Sequence, residues 1–296
     1  MKRFKNILLL LRPKQWVKNI FVFIPLFFDR RLIDPNSLLP GLIAFLSFSL
    51  VASSIYCLND IQDIARDRLH PLKKLRPLAS GALSKGIAFA IMSCCVLLSL
   101  ALALLASPTI SLYSLPSIIL FYFLLNVAYS IKLKQYAIID VFIIASGFVL
   151  RLFAGGVACH IALTPWIVLM TFLLTLFLAF AKRRDDVVIY EDTGILARKN
   201  INRYNLPFIN QIITLLSGIT IVCYILYTVS HEVIAQFKSP YVYLTAVWVL
   251  AAIIKYLQIT IVDIKSGSPT KVLLHNRFIQ LCVLGWIAHF VILLYL

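Results

Sequence analysis

Long apolar runs separated by short polar segments extend along almost the whole chain. A predominantly apolar run of about 17–25 residues is long enough to cross the hydrocarbon core of a bilayer as a helix. The pattern therefore predicts an all-α, polytopic integral membrane protein with about nine transmembrane helices. They are expected near residues 16–29, 38–58, 87–106, 112–131, 137–157, 163–181, 209–230, 241–259 and 277–295. Because no Pro-, Gly- or Ser-rich linker separates these runs, we expect one transmembrane domain over residues 1–296.

Composition favours the same class of protein. Hydrophobic residues make up 61% of the 296 residues, whereas soluble domains contain roughly 45–50%. The six cysteines show no spacing typical of a metal site, and nearly all of them fall within the apolar runs. We therefore interpret them as small core residues.

The net charge of +16 goes with an uneven distribution of Lys and Arg. If the N-terminus is cytoplasmic, 24 of the 28 basic residues fall in segments that face the cytoplasm, as the positive-inside rule requires. The distribution predicts an N-in, C-out orientation in the cell membrane. Nucleic acid is not expected as a partner, because the basic residues lie in short loops between spans rather than on a soluble domain.

The polar loops on the two sides of the membrane differ in length. The predicted cytoplasmic loops at residues 59–85 and 182–205 are long and polar, whereas the external loops at 107–111 and 158–165 are short and almost uncharged. We therefore expect the active site on the cytoplasmic face, opening into the helix bundle.

A group of oxygen-bearing side chains follows directly after the apolar run 42–58. Asn59, Asp63 and Asp67 recur at four-residue intervals, so they project from one face of a continuing helix. Asp60 lies one residue off that line. Carboxylates without partners are costly near a bilayer, and Mg²⁺ relieves this cost because it takes oxygen ligands and shares them with substrate phosphates.

Basic residues follow this group at once, among them Lys73 and Arg76. Carboxylates suited to Mg²⁺ and cations suited to phosphate thus lie side by side in the sequence. Together they predict a diphosphate site at a membrane surface.

Other polar residues near the predicted cytoplasmic ends of the spans are candidates for the same site. Lys14 and Lys18 share one helix face close to Asn19, with snorkelling interface lysines as the alternative interpretation. Asp140 begins a helix, where an acid also favours the helix dipole. Arg151 lies three turns deeper in that helix, where a charge is usually functional or paired.

Further candidates lie at the ends of two other predicted spans. Lys134 follows one of them, and Lys182 and Arg183 end another, where the positive-inside rule alone accounts for one or two of the charges. Tyr190 is a weaker candidate in the same loop.

The segment from Asn59 to Asp67, followed by Lys73, Arg76-Pro77 and Ser80-Gly81, resembles the first aspartate-rich motif of the UbiA-type membrane prenyltransferase superfamily. The resemblance covers essentially the full chain. It implies an all-helical bundle of nine spans with a cytoplasmic Mg²⁺-diphosphate site.

Within that superfamily, several segments resemble the decaprenyl-phosphate phosphoribosyltransferases. These segments are Leu11 to Asn19, Asp67 to Lys73, Leu133 to Gln135, Leu150 to Val157, Ala181 to Arg183 and Gly267 to Leu281. A second aspartate motif, typical of members that use a prenyl diphosphate, is replaced here by adjacent Asp185 and Asp186. Neighbouring residues on a helix point about 100° apart, so this pair makes a poor clamp for one ion. Asp140 stands where the resembled family often has Glu, and its reach is shorter.

The resemblance implies transfer of 5-phosphoribosyl from PRPP to a polyprenyl (decaprenyl-like) monophosphate, with release of pyrophosphate. It implies Mg²⁺ bound by Asn59, Asp63 and Asp67, and an oxocarbenium-like ribose stabilised by Asp60 or Asp140. The catalytic candidates are thus Asp60, Asp63, Asp67 and Asp140. The phosphate-binding candidates are Lys14, Lys18, Asn19, Lys73, Arg76, Lys134, Arg151, Lys182, Arg183 and Tyr190. The product would feed synthesis of a cell-envelope glycan.

Two alternatives remain open at this point. One is a UbiA-type enzyme that moves a polyprenyl group from its diphosphate to an aromatic acceptor, which shares the first motif. The other is a lipid or cation transporter, which predicts charges through the membrane interior and on both faces. Membrane lipids, and a second copy of the chain in a homo-oligomer, are the other partners that the sequence allows.

Overall fold

The computed structural model describes residues 2–69, 73–107, 111, 113–194 and 200–295, and all regular structure within them is helical. This confirms the all-α prediction. The α-helices are α1 Lys2–Leu11, α2 Ile24–Phe28, α3 Pro35–Gln62, α4 Ile64–Leu69, α5 Lys85–Ala106, α6 Leu115–Ile131, α7 Ile139–Ala158, α8 Pro165–Thr193, α9 Leu206–Val229, α10 His231–Phe237, α11 Ala246–Ile261, α12 Pro269–His275 and α13 Arg277–Tyr295. Short 3₁₀ helices cover Pro13–Phe23, Lys73–Leu75, Leu133–Gln135, Ile201–Arg203 and Pro240–Thr245.

Seven helical segments in the described residues are long and apolar enough to cross a membrane, as expected of a multi-pass membrane protein. They are α3, α5, α7, α8, α9, the run Pro240–Ile261 and α13. Helix α6 is also apolar, but with 17 residues it is shorter. The segment expected as the first span consists instead of the 3₁₀ helix Pro13–Phe23 and the short α2. The count of nine spans and the N-in, C-out orientation stay predictions.

The long helices begin at residues that satisfy the first backbone N–H groups. Asp34, Ser84, Thr164 and Asn205 each accept a hydrogen bond from a backbone N–H in the first turn of α3, α5, α8 and α9. Pro occupies one of the first two positions of α3, α8 and α9, where its missing N–H costs nothing. Local chemistry therefore fixes where these helices start.

The chain divides into two compact units, and the single-domain expectation over residues 1–296 stays a prediction. Unit 1 comprises residues 1–133 and 147–163, and unit 2 comprises residues 134–146 and 164–296.

Unit 1 is organised around α3, whose buried side chains are mostly small. Ser47 on α3 and Ser99 on α5 each donate a hydroxyl hydrogen bond to the other's backbone carbonyl, at 2.8 and 2.7 Å. Such small polar residues let apolar helices approach closely where no water is available. The adjoining core contains Phe48 and Ile119, both nearly inaccessible to solvent.

Unit 2 has its own core, formed mainly by α8, α9 and α11. Phe177 and Ile213 are fully or almost fully buried there, and the rings of Phe177 and Tyr256 meet edge to face with centroids 5.6 Å apart. Aromatic pairs of this geometry add to the stabilisation from burial alone.

The 3₁₀ helix Pro13–Phe23 binds α3 through a row of polar contacts within unit 1. The Trp16 indole N–H donates to Ser53 Oγ at 3.0 Å, and the Asn19 amide donates to Ser49 Oγ at 2.8 Å. A helix with three residues per turn brings Trp16, Asn19 and Val22 onto one face. The polar residues spaced by three therefore favour this tighter helix over a regular transmembrane span.

A glycine on α7 makes room for this 3₁₀ helix. A Cβ atom at Gly155 would lie 1.9 Å from the backbone carbonyl oxygen of Val22, which is far inside van der Waals contact. Because the Val22 oxygen belongs to the backbone, it cannot move away by a side-chain rotation, and the 3₁₀ helix itself would have to shift.

We predict that Gly155→Ala destabilises the protein by at least about 3 kcal/mol, or prevents folding, because the 3₁₀ helix must move. The measurement is thermal unfolding in detergent. Gly218→Ala is the matched control, since Gly218 also lies inside a helix and a Cβ there meets nothing within 4 Å. Its expected effect is neutral or stabilising by up to about 1 kcal/mol. Equal melting temperatures for the two variants would contradict the prediction.

Candidate functional site

The predicted metal-binding residues lie at the junction of two helices in unit 1. Helix α3 ends at Gln62, and Asp63 separates it from the short α4. Backbone hydrogen bonds continue across the junction, because the Asp63 N–H donates to Asn59 O and the Asp67 N–H donates to Asp63 O, at 2.9 and 2.8 Å. The four-residue spacing of the motif is therefore kept although the α-helix itself is interrupted.

Two carboxylates of this group converge on one guanidinium. Arg76 Nη1 lies 2.7 Å from Asp67 Oδ2 and 3.2 Å from Asp60 Oδ1. Both aspartates are only 2% exposed. Arg76 was predicted to bind substrate phosphate, and in this structure its charge balances the two buried carboxylates.

The loop after α4 places Arg76 beside the carboxylates. The Arg76 N–H donates to Lys73 O at 2.9 Å, and the Ser80 N–H donates to Arg76 O at 2.9 Å. Leu78 and Leu83 from the same loop are buried in a small apolar cluster with Leu10 of α1. The loop is thus anchored on the C-terminal side of Arg76.

Arg12 is a site residue that the sequence interpretation missed. Its guanidinium pairs with Asp60 and lies over the ring of Tyr56, 5.0 Å from the centroid. The backbone of Arg12 is left-handed, with φ of 52°, where α1 meets the following 3₁₀ helix. The only sequence signal was its place in the segment Leu11 to Asn19.

The carboxylate cluster, meaning Asn59, Asp60, Asp63 and Asp67, offers the hard oxygen donors that Mg²⁺ takes. Asp63 is half-buried, and Arg66 lies 4.0 Å from its carboxylate. Among the residues that the structure describes, no three His, Cys, Asp or Glu side chains come together as a metal site. The oxygen donors thus suit Mg²⁺ by their chemistry, but three of the described carboxylates do not gather at one point, and Arg76 supplies the positive charge between Asp60 and Asp67.

A second group of charges lies in unit 2. Arg183 Nε donates to Asp140 Oδ2 at 2.8 Å, and Arg183 Nη1 donates to Asp186 Oδ2 at 3.1 Å. Asp140 and Arg183 are 0% and 1% exposed. Tyr204, another residue that the sequence interpretation missed, lies 3.3 Å from Asp140 Oδ1 through its hydroxyl. Burial raises the pKa of Tyr204 to about 12, so that hydroxyl stays protonated at neutral pH.

The two residues between Arg183 and Asp186 bind other parts of unit 2. Arg184 donates to the carbonyl of Thr260 at 2.6 Å, at the C-terminal end of α11, where a cation also favours the helix dipole. Asp185 accepts hydrogen bonds from the Ser266 hydroxyl, at 2.8 Å, and from the Gly267 N–H. The adjacent aspartates thus serve separate partners.

Arg151 and Asn19, both predicted to bind phosphate, bind each other within unit 1. Arg151 Nε donates to Asn19 Oδ1 at 2.7 Å, and Arg151 Nη1 donates to Gly147 O at 2.6 Å. The guanidinium lies about 5 Å from three ring centroids, those of Phe48, Tyr122 and Phe148. These contacts stabilise a buried cation by hydrogen bonds and ring faces.

The remaining predicted residues differ in exposure. Lys14 is exposed, whereas Lys18, Lys73, Lys134 and Lys182 are half-buried. Tyr190 packs against the core of unit 2. The substrate contacts predicted for all these residues stay predictions.

The sequence profile of the UbiA prenyltransferase family matches residues 21–281. A decaprenyl-phosphate phosphoribosyltransferase of Corynebacterium glutamicum is 32% identical over 295 residues, which cover 97% of this chain and 86% of that protein. The protein of the same name from Mycolicibacterium smegmatis is 32% identical over 290 residues, 93% of this chain and 88% of its own.

A solved structure with the same fold is a UbiA homolog from Archaeoglobus fulgidus bound to DMAPP and Mg²⁺. It matches with a TM-score of 0.71 and 20% sequence identity, over 98% of this chain and 99% of that chain.

We predict that Arg12→Met lowers the free energy of unfolding by about 1.5–3 kcal/mol, because the buried Asp60 loses a charged hydrogen-bond partner. Thermal unfolding in detergent measures the loss. Arg3→Met is the matched control, since Arg3 lies exposed on α1, and we expect it to leave the melting temperature unchanged. An Arg12→Met protein as stable as the control would show that Arg76 alone suffices for Asp60.

Proposed function

The chain belongs to the UbiA prenyltransferase family, and from that premise we propose that it transfers the 5-phosphoribosyl group of PRPP to a polyprenyl monophosphate. Pyrophosphate is released. The near full-length similarity to two decaprenyl-phosphate phosphoribosyltransferases supports this choice of reaction within the family. We place the reaction at the cytoplasmic face of the cell membrane, where the basic loops are expected.

The observation that carries the proposal is the convergence of Asp60 and Asp67 on Arg76 at the end of α3. Buried carboxylates with cations beside them form a preorganised charged site at the end of an apolar helix. Such preorganised charge is usually the largest contribution to catalysis of group transfer.

In the proposed reaction, a phosphate oxygen of the lipid attacks C1 of the ribose. A new C1–O bond forms as the bond from C1 to pyrophosphate breaks, and the pyrophosphate leaves with the electron pair. The acceptor oxygen is already anionic at neutral pH, so no strong general base is needed. Asp60 or Asp140 is the candidate to stabilise positive charge that develops on the ribose.

The residues that would hold Mg²⁺ are Asn59, Asp63 and Asp67. When bound there, the ion would neutralise charge on the pyrophosphate oxygens and orient them. Arg76 and Lys73 would contribute further positive charge to the leaving group. For Arg76, this requires exchanging a carboxylate contact for a phosphate contact.

The sequence offers Lys14, Lys18, Lys134 and Arg183 as candidates to bind the acceptor phosphate. Arg183 is the most deeply buried of them, and its charge is balanced by Asp140 and Asp186. It would have to give up those ion pairs in order to bind a phosphate. We therefore assign the acceptor phosphate to the lysines first.

We predict that the purified protein, in detergent or lipid with Mg²⁺ and a polyprenyl phosphate, moves label from radiolabelled PRPP into the lipid fraction. EDTA should abolish the transfer, and added Mg²⁺ should restore it. Consumption of a prenyl diphosphate with an aromatic acceptor, with PRPP left intact, would replace the proposal by conventional prenyl transfer. If neither PRPP nor the prenyl diphosphate is consumed, the proposal that the protein is an enzyme is refuted.

We further predict that Asp63→Asn lowers the transfer rate by about 10²-fold or more, because a carboxylate ligand becomes a neutral amide. The rate is measured as a function of Mg²⁺ concentration, and the variant should require more Mg²⁺ for half-maximal activity. Asp34→Asn at the other end of α3 is the matched control, since Asn caps a helix as well as Asp does. Near-normal turnover of Asp63→Asn would rule out its role as a metal ligand.

A further inference from the structure

The turn that precedes α7 in unit 2 has an unusual backbone. Ile138 has a φ of 70°, in the left-handed region. A β-branched side chain rarely adopts that conformation, and it persists only where the surroundings impose it. The Ile138 carbonyl still accepts hydrogen bonds from the N–H groups of Val141 and Phe142, so the turn leads directly into the helix.

Tyr204 provides the contact that holds this turn. The Ile138 N–H donates to the Tyr204 hydroxyl oxygen at 2.6 Å. The hydroxyl hydrogen remains available for Asp140, whose Oδ1 lies 3.3 Å away. One hydroxyl thus contacts both the left-handed residue and the first turn of α7.

Tyr204 is itself held in place on several sides. Its ring stacks on Phe208 with centroids 6.3 Å apart and meets Phe180 edge to face at 6.4 Å. Arg183 binds the other carboxylate oxygen of Asp140, at 2.8 Å. Tyr204 therefore acts as a rigid support for the turn.

Lys134 lies a few residues before the supported turn. The 3₁₀ helix Leu133–Gln135 contains this lysine, and three residues separate it from Ile138. A lysine is a point charge on a flexible stem, so the place where it binds a phosphate depends on where the backbone holds its Cα.

We propose that Tyr204 is a positioning residue that holds the turn at Ile138 so that Lys134 binds the phosphate of the lipid acceptor. This inference rests on the proposed function, and it adds the residue that determines affinity for the phosphomonoester of the acceptor. Tyr204 itself does not touch the reacting atoms. It acts through Ile138 and Lys134.

The test is steady-state kinetics of ribosyl transfer by the full chain, with the Michaelis constants for polyprenyl phosphate and for PRPP measured separately. Tyr204→Phe keeps the ring and its packing but removes the hydroxyl. We expect about a tenfold higher KM for polyprenyl phosphate, while the KM for PRPP changes less than about twofold. The readout is the ratio of the two Michaelis constants, because the same hydroxyl also contacts Asp140 and a change in kcat reports on that carboxylate.

Tyr256→Phe is the matched control. Tyr256 is as buried as Tyr204, and its hydroxyl has no hydrogen-bond partner in the described part of the chain. This variant should leave all three kinetic constants unchanged. A general effect of losing a buried tyrosine hydroxyl would appear in both variants.

Two double variants separate positioning from a merely structural role. Glycine adopts the left-handed conformation without strain. Ile138→Gly combined with Tyr204→Phe should therefore restore the KM for polyprenyl phosphate to within about threefold of the wild-type value.

Lys134→Gln should raise the KM for polyprenyl phosphate by itself. Adding Tyr204→Phe to it should raise this KM no further, because the two substitutions remove the same interaction with the phosphate.

Three results would overturn the proposal. The first is a Tyr204→Phe variant whose KM for polyprenyl phosphate matches that of Tyr256→Phe. The second is an equal rise in KM for both substrates, and the third is full additivity with Lys134→Gln. If the wild-type protein transfers no ribosyl group from PRPP, the proposed function itself fails, and the wild-type assay alone identifies that outcome.

Discussion

The pairing of Asp60 with Arg12 and Arg76 is the interaction on which the arrangement of unit 1 depends. A carboxylate that is 2% exposed at the end of an apolar helix loses several kcal/mol of hydration, which ion pairs must offset. Arg12 comes from the segment before the 3₁₀ helix, and Arg76 comes from the loop after α4. The need to balance one buried charge therefore brings two distant parts of the chain to the end of α3. In the proposed reaction, Arg76 would exchange one of these carboxylate contacts for the pyrophosphate.

Unit 2 follows the same rule with different partners. At the end of α8, Arg183 pairs with Asp140, Arg184 binds the end of α11, and Asp185 holds the loop at Ser266. Each charge is matched by a separate element, so this stretch joins the helices of the unit. A substitution in it would change folding and chemistry together, and kinetic data on such variants require a parallel measurement of stability.

The apolar pattern predicted the long helices well, because burial in a membrane requires runs of defined length. The resemblance to the UbiA family, read from the motif at Asn59 to Asp67, is confirmed by the family match. The first span was harder to predict, since Trp16 and Asn19 bind α3 and favour a 3₁₀ helix within an otherwise apolar run. Arg12 and Tyr204 could not be found from local patterns, because their partners Asp60 and Ile138 lie 48 and 66 residues away in sequence.

The 3₁₀ helix Pro13–Phe23 also determines how far the N-terminal segment reaches. Eleven residues rise about 2.0 Å each in a 3₁₀ helix, or about 22 Å in all, whereas an α-helix of equal length rises about 16 Å. Arg12 lies at one end of this segment, and the contact of Val22 with Gly155 lies near the other. The length of this 3₁₀ helix therefore sets the distance between the Arg12–Asp60 pair and the contact of Val22 with Gly155. Removing one residue would shorten it by about 2 Å and rotate Arg12 by about a third of a turn, so its length is constrained more tightly than its composition.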